Sequence, residues 1–299
     1  MSLVSVSSPV PTTASIDNMV RCLAGFGLAT KVDPHAVDSY GYLAGADAIR
    51  QSALNSALVD PDTAAVFFAW GGKGATHLLE GIDYEAFRRR PKVVVGLSDP
   101  SAIVNALCRI AGVVTFHGPT GVNFAEEAGL HEYTSNSFVG SLFEADYHGI
   151  VSAYSEWETL RPGFAEGTLV GGHLSTIQTL LGSRFEPDWD GAIFFWEEVG
   201  RAARAIDLSL WHYRLAGVFD RIAGMIVGRP LECNDPEFDS ELGLTDTIRQ
   251  ACSGYDFPIL YNVDLGHADP KLTLPLGVRA RVELQTTASG FEILEGGVE

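Results

Sequence analysis

The sequence predicts an α/β protein whose core is a mainly parallel β-sheet covered by helices. Short apolar runs alternate with segments of helical periodicity, and short Gly-rich loops join them, which is the pattern of strands linked by helical crossovers. The run at 93–95, Val-Val-Val, is β-branched and continuously apolar, as expected of a parallel strand buried on both faces. Ligand sites in such sheets lie at the carboxyl ends of the strands, so functional residues are expected in the loops that follow them.

In chain order, the apolar runs of the first half predict strands at residues 3–6, 29–32, 64–69, 93–95 and 113–116. Helices are expected between them at 16–26, 47–58, across 78–79 and at 102–110. Residues 149–167 have no clear period, so we place a domain boundary near 160, which gives domains 1–160 and 161–299. The second half predicts helices at 175–181, 208–215 and 245–251, strands at 192–196, 222–227 and 258–263, and a terminal hairpin from 278–284 and 290–294.

The composition is that of an ordered globular protein and disfavours several classes of partner. Of 299 residues, 46% are hydrophobic and 19% charged. Lys and Arg number 20 against 38 Asp and Glu, and the net charge of −18 repels phosphate backbones, so no nucleic-acid partner is expected. The sequence contains no apolar run of about 18 residues and no basic region of a secretory signal at its start. We therefore expect a cytoplasmic protein that has no membrane partner, and its four cysteines, which form no C-x-x-C pair, are expected to be reduced.

Residues 91–112 change abruptly from strand to helix, and Ser98 stands at the change. A Gly two residues before such a Ser is typical of a nucleophile turn, in which backbone N–H groups at the helix N-terminus face a developing oxyanion. The alternative is a capped helix start, because Ser and Asp are favoured N-caps and Pro is favoured at the first helical position. Pro100 also replaces the second Gly of the G-x-S-x-G pattern, so the segment by itself favours the cap.

Three more polar residues follow predicted strands: Glu197, His117 and His267. Each alone is more often structural: Glu197 as an ion pair with Arg201 or Arg204, His267 as an exposed loop residue, and His117 as a packing residue that bonds a loop carbonyl. Together, a Ser, a Glu and a His at strand ends are the components of a triad, and the chain order Ser, acid, His is one of the known arrangements. The sequence contains no P-loop, G-x-G-x-x-G, H-E-x-x-H or zinc-spaced His/Cys group, so neither a metal nor a nucleotide cofactor is expected.

A series of short motifs extends along nearly the whole chain: YGYLAG at 40–45, GG at 71–72 with LL at 78–79, PK at 91–92 with GLSD at 96–99, TFHGP at 115–119, GTLVGG at 167–172, WEEVG at 196–200, AGVFD at 216–220, GH at 266–267 and LPLG at 274–277. In this order they resemble the LD-carboxypeptidase family, serine peptidases that trim murein peptides. One motif alone is weak evidence, whereas the ordered set is specific.

The resemblance implies an N-terminal Rossmann-like domain that carries the nucleophile and a C-terminal β-rich domain, of swivelling β/α/β type, that carries the acid and base. Carried over by motif, Ser98 is the nucleophile, His267 the general base and Glu197 the residue that orients it, with Glu198 as the neighbouring alternative. The backbone N–H groups of Gly72 and Asp99 form the oxyanion hole. The active site then lies at the interface of the two domains.

The resemblance also implies a small murein peptide as substrate, no cofactor, and a homodimer as the assembly. Gly71, Lys73, Trp70 and His117 are the expected substrate-binding residues, with Lys73 a candidate for the terminal carboxylate. The sequence departs from the family pattern where Trp70 and Lys73 replace the usual Arg and Tyr around the Gly-Gly loop. It departs again where His173 replaces the Asn of Gly-Gly-Asn, and where residues 53–55 read Ala-Leu-Asn in place of Asp-Leu-Asn.

Two alternatives to a murein carboxypeptidase remain at this point. The first is the immunity branch of the same family, which cleaves peptidyl- or aminoacyl-adenylates of the microcin C type; Trp70 or Trp196 would then stack on the base. The second is a non-catalytic protein that keeps the fold and binds murein peptides. The presence of Ser98, Glu197 and His267 disfavours the second, and the His-Gly-Pro motif and the short chain favour the murein enzyme over the first.

Overall fold

The computed structural model describes residues 1–125, 129–234, 241–285 and 289–298. Its first sheet contains five parallel strands: β1 (Ser2–Val4), β2 (Lys31–Val32), β3 (Ala65–Phe68), β4 (Val93–Gly96) and β5 (Thr115–His117). Their spatial order is β2-β1-β3-β4-β5, and β12 (Leu274–Leu276), from the far end of the chain, adds an antiparallel strand beside β5. The predicted α/β class with a mainly parallel sheet is confirmed.

Helices cover both faces of this sheet. Successive side chains of each strand point to opposite faces, and both sets are apolar, so each face needs a covering layer. Phe67 and Val95 pack on one face with α1 (Thr13–Gly25), α5 (Gly121–Phe124) and α6 (Glu132–Phe143). Phe68 and Val94 pack on the other face with α2 (Asp47–Val59), α3 (Tyr84–Arg89) and α4 (Ser101–Ala111). The strands with continuously apolar sequences are therefore buried on both faces of the sheet.

The second sheet has eight strands: β6 (Gly149–Ile150), β7 (Glu158–Arg161), β8 (Gly163–His173), β9 (Ile193–Glu197), β10 (Gly224–Gly228), β11 (Ile259–Val263), β13 (Arg279–Leu284) and β14 (Ser289–Ile293). Their order is β6-β14-β13-β8-β9-β10-β11-β7, and β8 to β11 form a parallel core flanked by antiparallel strands. Between them lie α7 (Leu174–Ile177), α8 (Ala203–Leu215) and α9 (Leu244–Ala251). The predicted terminal hairpin is β13 paired with β14.

Two predicted helices differ from the observed elements. The segment around Leu78 is a 3-10 helix, Ala75–Gly81, that starts after Gly74 in the left-handed region. The segment predicted at 175–181 is α7 followed by a 3-10 turn, Gln178–Leu180. The domain boundary near residue 160 stays a prediction, since β6 precedes it and joins the second sheet while β12 follows it and joins the first. Among the described helices, none combines the length and apolar character that a membrane span requires.

Helix α4 joins the two sheets and brings their strand ends together. Its Asn105 donates a 2.8 Å hydrogen bond from Nδ2 to the carbonyl oxygen of Gly171, at the end of β8. Its Ser101 accepts a 3.2 Å hydrogen bond at Oγ from the backbone N–H of His173. Both side chains are buried, so these bonds are protected from water and hold the end of β8 against the first turn of the helix that follows Ser98.

Candidate active site

Ser98 lies between β4 and α4 with a backbone φ of +67°. A residue with a Cβ pays about 1–2 kcal/mol to occupy this left-handed region, so the turn is strained. Helix α4 has Pro100 as its N-cap residue and no side-chain capping hydrogen bond. The capped-helix interpretation of the segment is therefore wrong, because neither the Ser98 nor the Asp99 side chain caps the helix.

The Asp99 carboxylate instead holds two loops beside Ser98. Its Oδ2 accepts a 2.7 Å hydrogen bond from Ser7 Oγ and a 2.8 Å bond from the backbone N–H of Ala75. Burial raises the pKa of this carboxyl, although the two hydrogen bonds act in the opposite direction. One buried side chain thus ties the loop after β1 and the loop after β3 to the turn that carries Ser98.

The Gly-Gly loop after β3 lies directly against Ser98. A Cβ on Gly71 would lie 3.0 Å from Ser98 Cβ and 3.1 Å from its Oγ, so a larger residue would crowd the hydroxyl. Gly72 has φ +109°, and a Cβ there would meet Ser8 Oγ at 2.0 Å. Within the described residues, the backbone N–H groups of Gly72 and Asp99 donate no hydrogen bond, so both donors are free to bind a ligand.

Glu197 and His267 are in direct contact at the ends of two strands of the second sheet. Glu197 ends β9 and His267 follows β11, and His267 Nδ1 lies 2.7 Å from Glu197 Oε2. The backbone N–H of His267 donates to the same oxygen at 3.2 Å. Burial alone would raise the pKa of Glu197, but the charge and hydrogen bond of His267 outweigh it and lower the pKa to about 2. The carboxylate is therefore ionised and ready to orient the imidazole.

Two glycines make room for this pair. A Cβ on Gly228 would lie 2.8 Å from Glu197 Cβ, and a Cβ on Gly266 would lie 2.5 Å from Glu197 Oε2. Gly266 also has φ +97°. The carboxylate is fully enclosed, with none of its surface exposed, and its position depends on the absence of side chains at both residues.

We expect Gly266→Ala to destabilise the protein by about 2–5 kcal/mol, since the new methyl group adds backbone strain to a clash with the carboxylate. Urea unfolding measures the loss. The matched control is Gly200→Ala, which has φ +64° but no heavy atom within 4 Å of the added carbon, so only the strain applies. Equal losses in the two variants would show that the contact with Glu197 is not what requires Gly266.

His173 and Glu198 form a second imidazole–carboxylate pair next to the first. His173 Nε2 lies 2.8 Å from Glu198 Oε1, and the His173 and His267 rings are 5.4 Å apart. Burial opposes ionisation of both partners, but their mutual attraction raises the pKa of His173 and lowers the pKa of Glu198. Glu198 is thus occupied by His173 and by Arg201, 3.8 Å away. These contacts do not match the alternative in which Glu198 orients the catalytic histidine. They also do not match the alternative in which Glu197 forms an ion pair with Arg201.

His117 ends β5 beside Gly96 of β4 and is fully buried. Neither ring nitrogen has a hydrogen-bond partner among the described residues. Burial lowers the pKa of this imidazole to about 4, with the negative charge of Glu197 acting in the opposite direction. The expected substrate contact at His117 does not agree with this position, because no part of the side chain reaches the surface.

We expect His117→Leu to reduce the acid sensitivity of the fold. The pKa of His117 is about 4 in the folded protein and 6.5 ordinarily, so the unfolded chain binds more protons between these values and stability falls as pH drops from 6.5 to 4. In the leucine variant, the decrease in the free energy of unfolding over this pH range should be smaller by about 3 kcal/mol. Urea unfolding from pH 7 to 4 measures it. The exposed His148→Leu serves as control, and parallel curves for wild type and His117→Leu would contradict the assignment.

The other expected substrate residues lie around the Gly-Gly loop. Lys73 is exposed, and its positive charge acts on both Asp99 and His173. Trp70 is half-buried against the apolar face of the first sheet. Trp196 has 1% of its surface exposed and belongs to the core, so the hypothesis that it stacks on a base is wrong.

The structure brings Glu197 and His267 into contact and places Gly71 against Ser98, whereas no hydrogen bond joins Ser98 Oγ to His267 among the described residues. Such bonds often form only when substrate is bound. A chain of contacts links the two groups: Ser101 follows the Ser98 turn, bonds His173, and the His173 ring contacts the His267 ring.

Two site-building residues had no signal in the sequence. Ser7 holds Asp99. Arg50, buried on α2, donates hydrogen bonds to the carbonyl oxygens of Val6 and Gly74 and so fixes the loop after β3. Apolar periodicity gives no reason to expect a buried guanidinium on that helix. The departure from the family motif at His173 is visible in the sequence, whereas the pairing of His173 with Glu198 was not predicted.

A serine on a strained strand-to-helix turn and a buried carboxylate–imidazole pair, in a two-sheet α/β protein, are the components of a serine-type hydrolytic enzyme. The chain belongs to the LD-carboxypeptidase family: the family model of the N-terminal domain matches residues 1–118 and that of the C-terminal domain matches residues 166–282. The family resemblance drawn from the motifs is confirmed, and the protein is an enzyme of the serine-type LD-carboxypeptidase class.

Similar proteins include both branches of the family. A probable murein peptide carboxypeptidase of Bacillus subtilis is 30% identical over 299 residues, 99% of this chain and 91% of its own length. The microcin C7 self-immunity protein MccF of Escherichia coli is 27% identical over 271 residues, 81% of this chain and 77% of its own length. The crystal structure of muramoyltetrapeptide carboxypeptidase from Oxalobacter formigenes superposes with a TM-score of 0.87 over 100% of both chains at 22% identity, which shows the shared two-domain fold.

Proposed function

We propose that this protein is a cytoplasmic LD-carboxypeptidase that releases the terminal D-Ala of murein tetrapeptides through Ser98, His267 and Glu197. The 2.7 Å contact between His267 Nδ1 and Glu197 Oε2 carries the proposal, because it is the orienting interaction that a general-base imidazole requires. The strained turn at Ser98 and the contacts through α4 support a nucleophile on the first sheet that is served by a base on the second.

In the first half-reaction, Ser98 Oγ attacks the carbonyl carbon of the last peptide bond while His267 takes the hydroxyl proton. Glu197 holds the Nδ1–H of His267 and stabilises the imidazolium that forms. The tetrahedral intermediate collapses when the carbon–nitrogen bond breaks, and His267 gives the proton to the departing amino group of D-Ala. The peptide is left as an ester on Ser98.

The oxyanion of the intermediate is stabilised by the backbone N–H groups of Gly72 and Asp99. Each such donor contributes about 3–4 kcal/mol to transition-state binding. Their position is maintained by the Asp99 carboxylate, which bonds Ser7 and Ala75, and by Arg50, which bonds the carbonyl oxygen of Gly74. The hole is therefore assembled before substrate arrives.

In the second half-reaction, His267 removes a proton from a water molecule, the hydroxide attacks the ester carbon, and the proton returns to Ser98 Oγ as the shortened peptide leaves. No cofactor takes part.

We assign Lys73, exposed beside the Gly-Gly loop, to the terminal carboxylate of the substrate, and we place the peptide over Gly71 with Trp70 at its side. A homodimer completes the proposal, and light scattering of the purified protein tests it.

The second candidate function is cleavage of aminoacyl-adenylates, as in the immunity protein MccF, whose solved complexes include aspartyl sulfamoyl adenosine. The burial of Trp196 removes one of the two aromatic residues that were candidates for stacking on a base, and Trp70 is half-buried. The murein substrate is therefore preferred.

The test is a pair of assays on the purified chain, one with a murein tetrapeptide and one with an aminoacyl sulfamoyl-adenosine. We expect D-Ala to be released from the first and the second to remain intact. Cleavage of the nucleoside alone would replace the proposed substrate with the adenylate class. Binding of the tetrapeptide without turnover of either compound would indicate the non-catalytic binding protein.

A further inference from the structure

Three side chains at the carboxyl ends of the second sheet form a cluster that suits a metal ion. One ligand atom from each of His173, Glu197 and His267 lies within 4.8 Å of the other two. Two imidazoles and one carboxylate are a donor set that Zn²⁺ adopts in proteins with a fourth position left open. At zinc–ligand distances of about 2.0–2.2 Å, tetrahedral donors lie about 3.3–3.6 Å apart, so the most distant pair must approach by up to about 1.4 Å, a change within reach of side-chain rotation.

The cluster contains an oxygen that has no partner in the part of the chain that the structure describes. Glu197 Oε1 is buried without a hydrogen bond, while the second oxygen, Oε2, accepts from His267. Nearly all buried carboxylate oxygens are bonded, since an unpaired one costs free energy. Glu197 is fully buried, so this unpaired oxygen is a second, independent sign that the cluster suits a cation.

The groups behind the cluster orient its imidazoles. His173 Nδ1 contacts Thr176 Oγ1 at 2.9 Å, which leaves Nε2 as the ligand atom. Glu198 Oε1 lies 2.8 Å from that same nitrogen, but the contact is not a hydrogen bond within the described residues, and its negative charge favours a cation at this position. The His267 side chain is 21% exposed, and it gives an ion a path from solvent to the otherwise buried donors.

The second imidazole is a departure from the family pattern. His173 stands where the Gly-Gly-Asn pattern has Asn, and an amide in that place would leave one histidine and one carboxylate, too few donors for a stable zinc site. The remaining donors belong to the proposed catalytic pair, so an ion bound here occupies the imidazole that must accept the proton of Ser98.

We propose that His173, Glu197 and His267 bind one Zn²⁺ and that the bound ion reversibly inhibits the enzyme by occupying His267. The inhibition rests on the proposed function, whereas the binding does not. The substrate class does not affect the binding, so binding is measured separately from turnover.

The experiment titrates the metal-free full chain with ZnCl₂ in a calorimeter and with CoCl₂ in a spectrophotometer, and it follows hydrolysis at the same zinc concentrations. We expect one zinc ion per chain, a visible Co²⁺ absorption of tetrahedral strength, and loss of turnover that parallels occupancy and is reversed by a chelator. His173→Asn should weaken zinc binding at least about tenfold and shift the inhibition curve equally, with each variant compared with its own zinc-free rate. His35→Asn, an exposed histidine paired with Asp38, is the control.

Equal zinc affinity in wild type and His173→Asn would overturn the site, as would the absence of stoichiometric binding. Stoichiometric zinc that leaves turnover unchanged would overturn the inhibition. If the chain hydrolyses neither test substrate yet binds zinc with the expected dependence on His173, the proposed function fails while the metal site stands.

Discussion

Ser98→Ala should reduce turnover of the tetrapeptide by about four to six orders of magnitude, because the ester intermediate has no other atom on which to form. The fold should be retained, since Ser98 Oγ has no hydrogen bond among the described residues to lose and the alanine keeps the same left-handed backbone. Steady-state release of D-Ala measures the effect, and circular dichroism with thermal melting checks the fold.

Ser101→Ala is the control for a serine on the same segment. Its hydroxyl accepts the His173 backbone N–H, a bond worth about 1 kcal/mol, so activity should fall less than about tenfold. A Ser98→Ala protein with full activity would eliminate the proposed mechanism. If both serine variants lost activity equally, the segment would be important for its structure and not for a nucleophile.

Glu197→Gln should lower turnover by about 10³–10⁴-fold. The amide keeps the size of the side chain but removes the charge that stabilises the imidazolium, and its NH₂ group competes for the orientation of His267. The affinity for substrate should change little, so the loss should fall on kcat. Initial-rate kinetics on folded, matched preparations measure it.

Glu198→Gln is the matched partner of this variant, since it makes the same substitution one residue later. Its carboxylate contacts His173 and Arg201, and we expect a loss of no more than about tenfold in turnover. If Glu198→Gln lost more turnover than Glu197→Gln, Glu198 would be the residue that orients the base. The role proposed for the contact between Glu197 and His267 would then be wrong.

The arrangement of the first sheet could be predicted from the sequence because each strand carries its own signal. Val94 and Val95 are apolar on successive positions, which requires burial on both faces and hence a covered parallel sheet. The strand-to-helix change at Ser98 was equally local. The start of the helix around Leu78 was less predictable, because the N–H of its first residue, Ala75, is bound by the Asp99 side chain, 24 residues away in the chain.

By itself, the sequence determined the α/β class, the position of the Ser98 turn and, through its ordered motifs, the family. The tertiary structure decided how the acidic and basic groups pair. Glu197 and Glu198 are neighbours in the chain, yet one contacts His267 and the other His173, since successive side chains at a strand end point in opposite directions. The structure also showed that the Asp99 side chain holds loops and does not cap α4, because its partners are 92 and 24 residues away. Such pairings depend on which strand ends lie side by side, and that order is set by the packing of whole sheets.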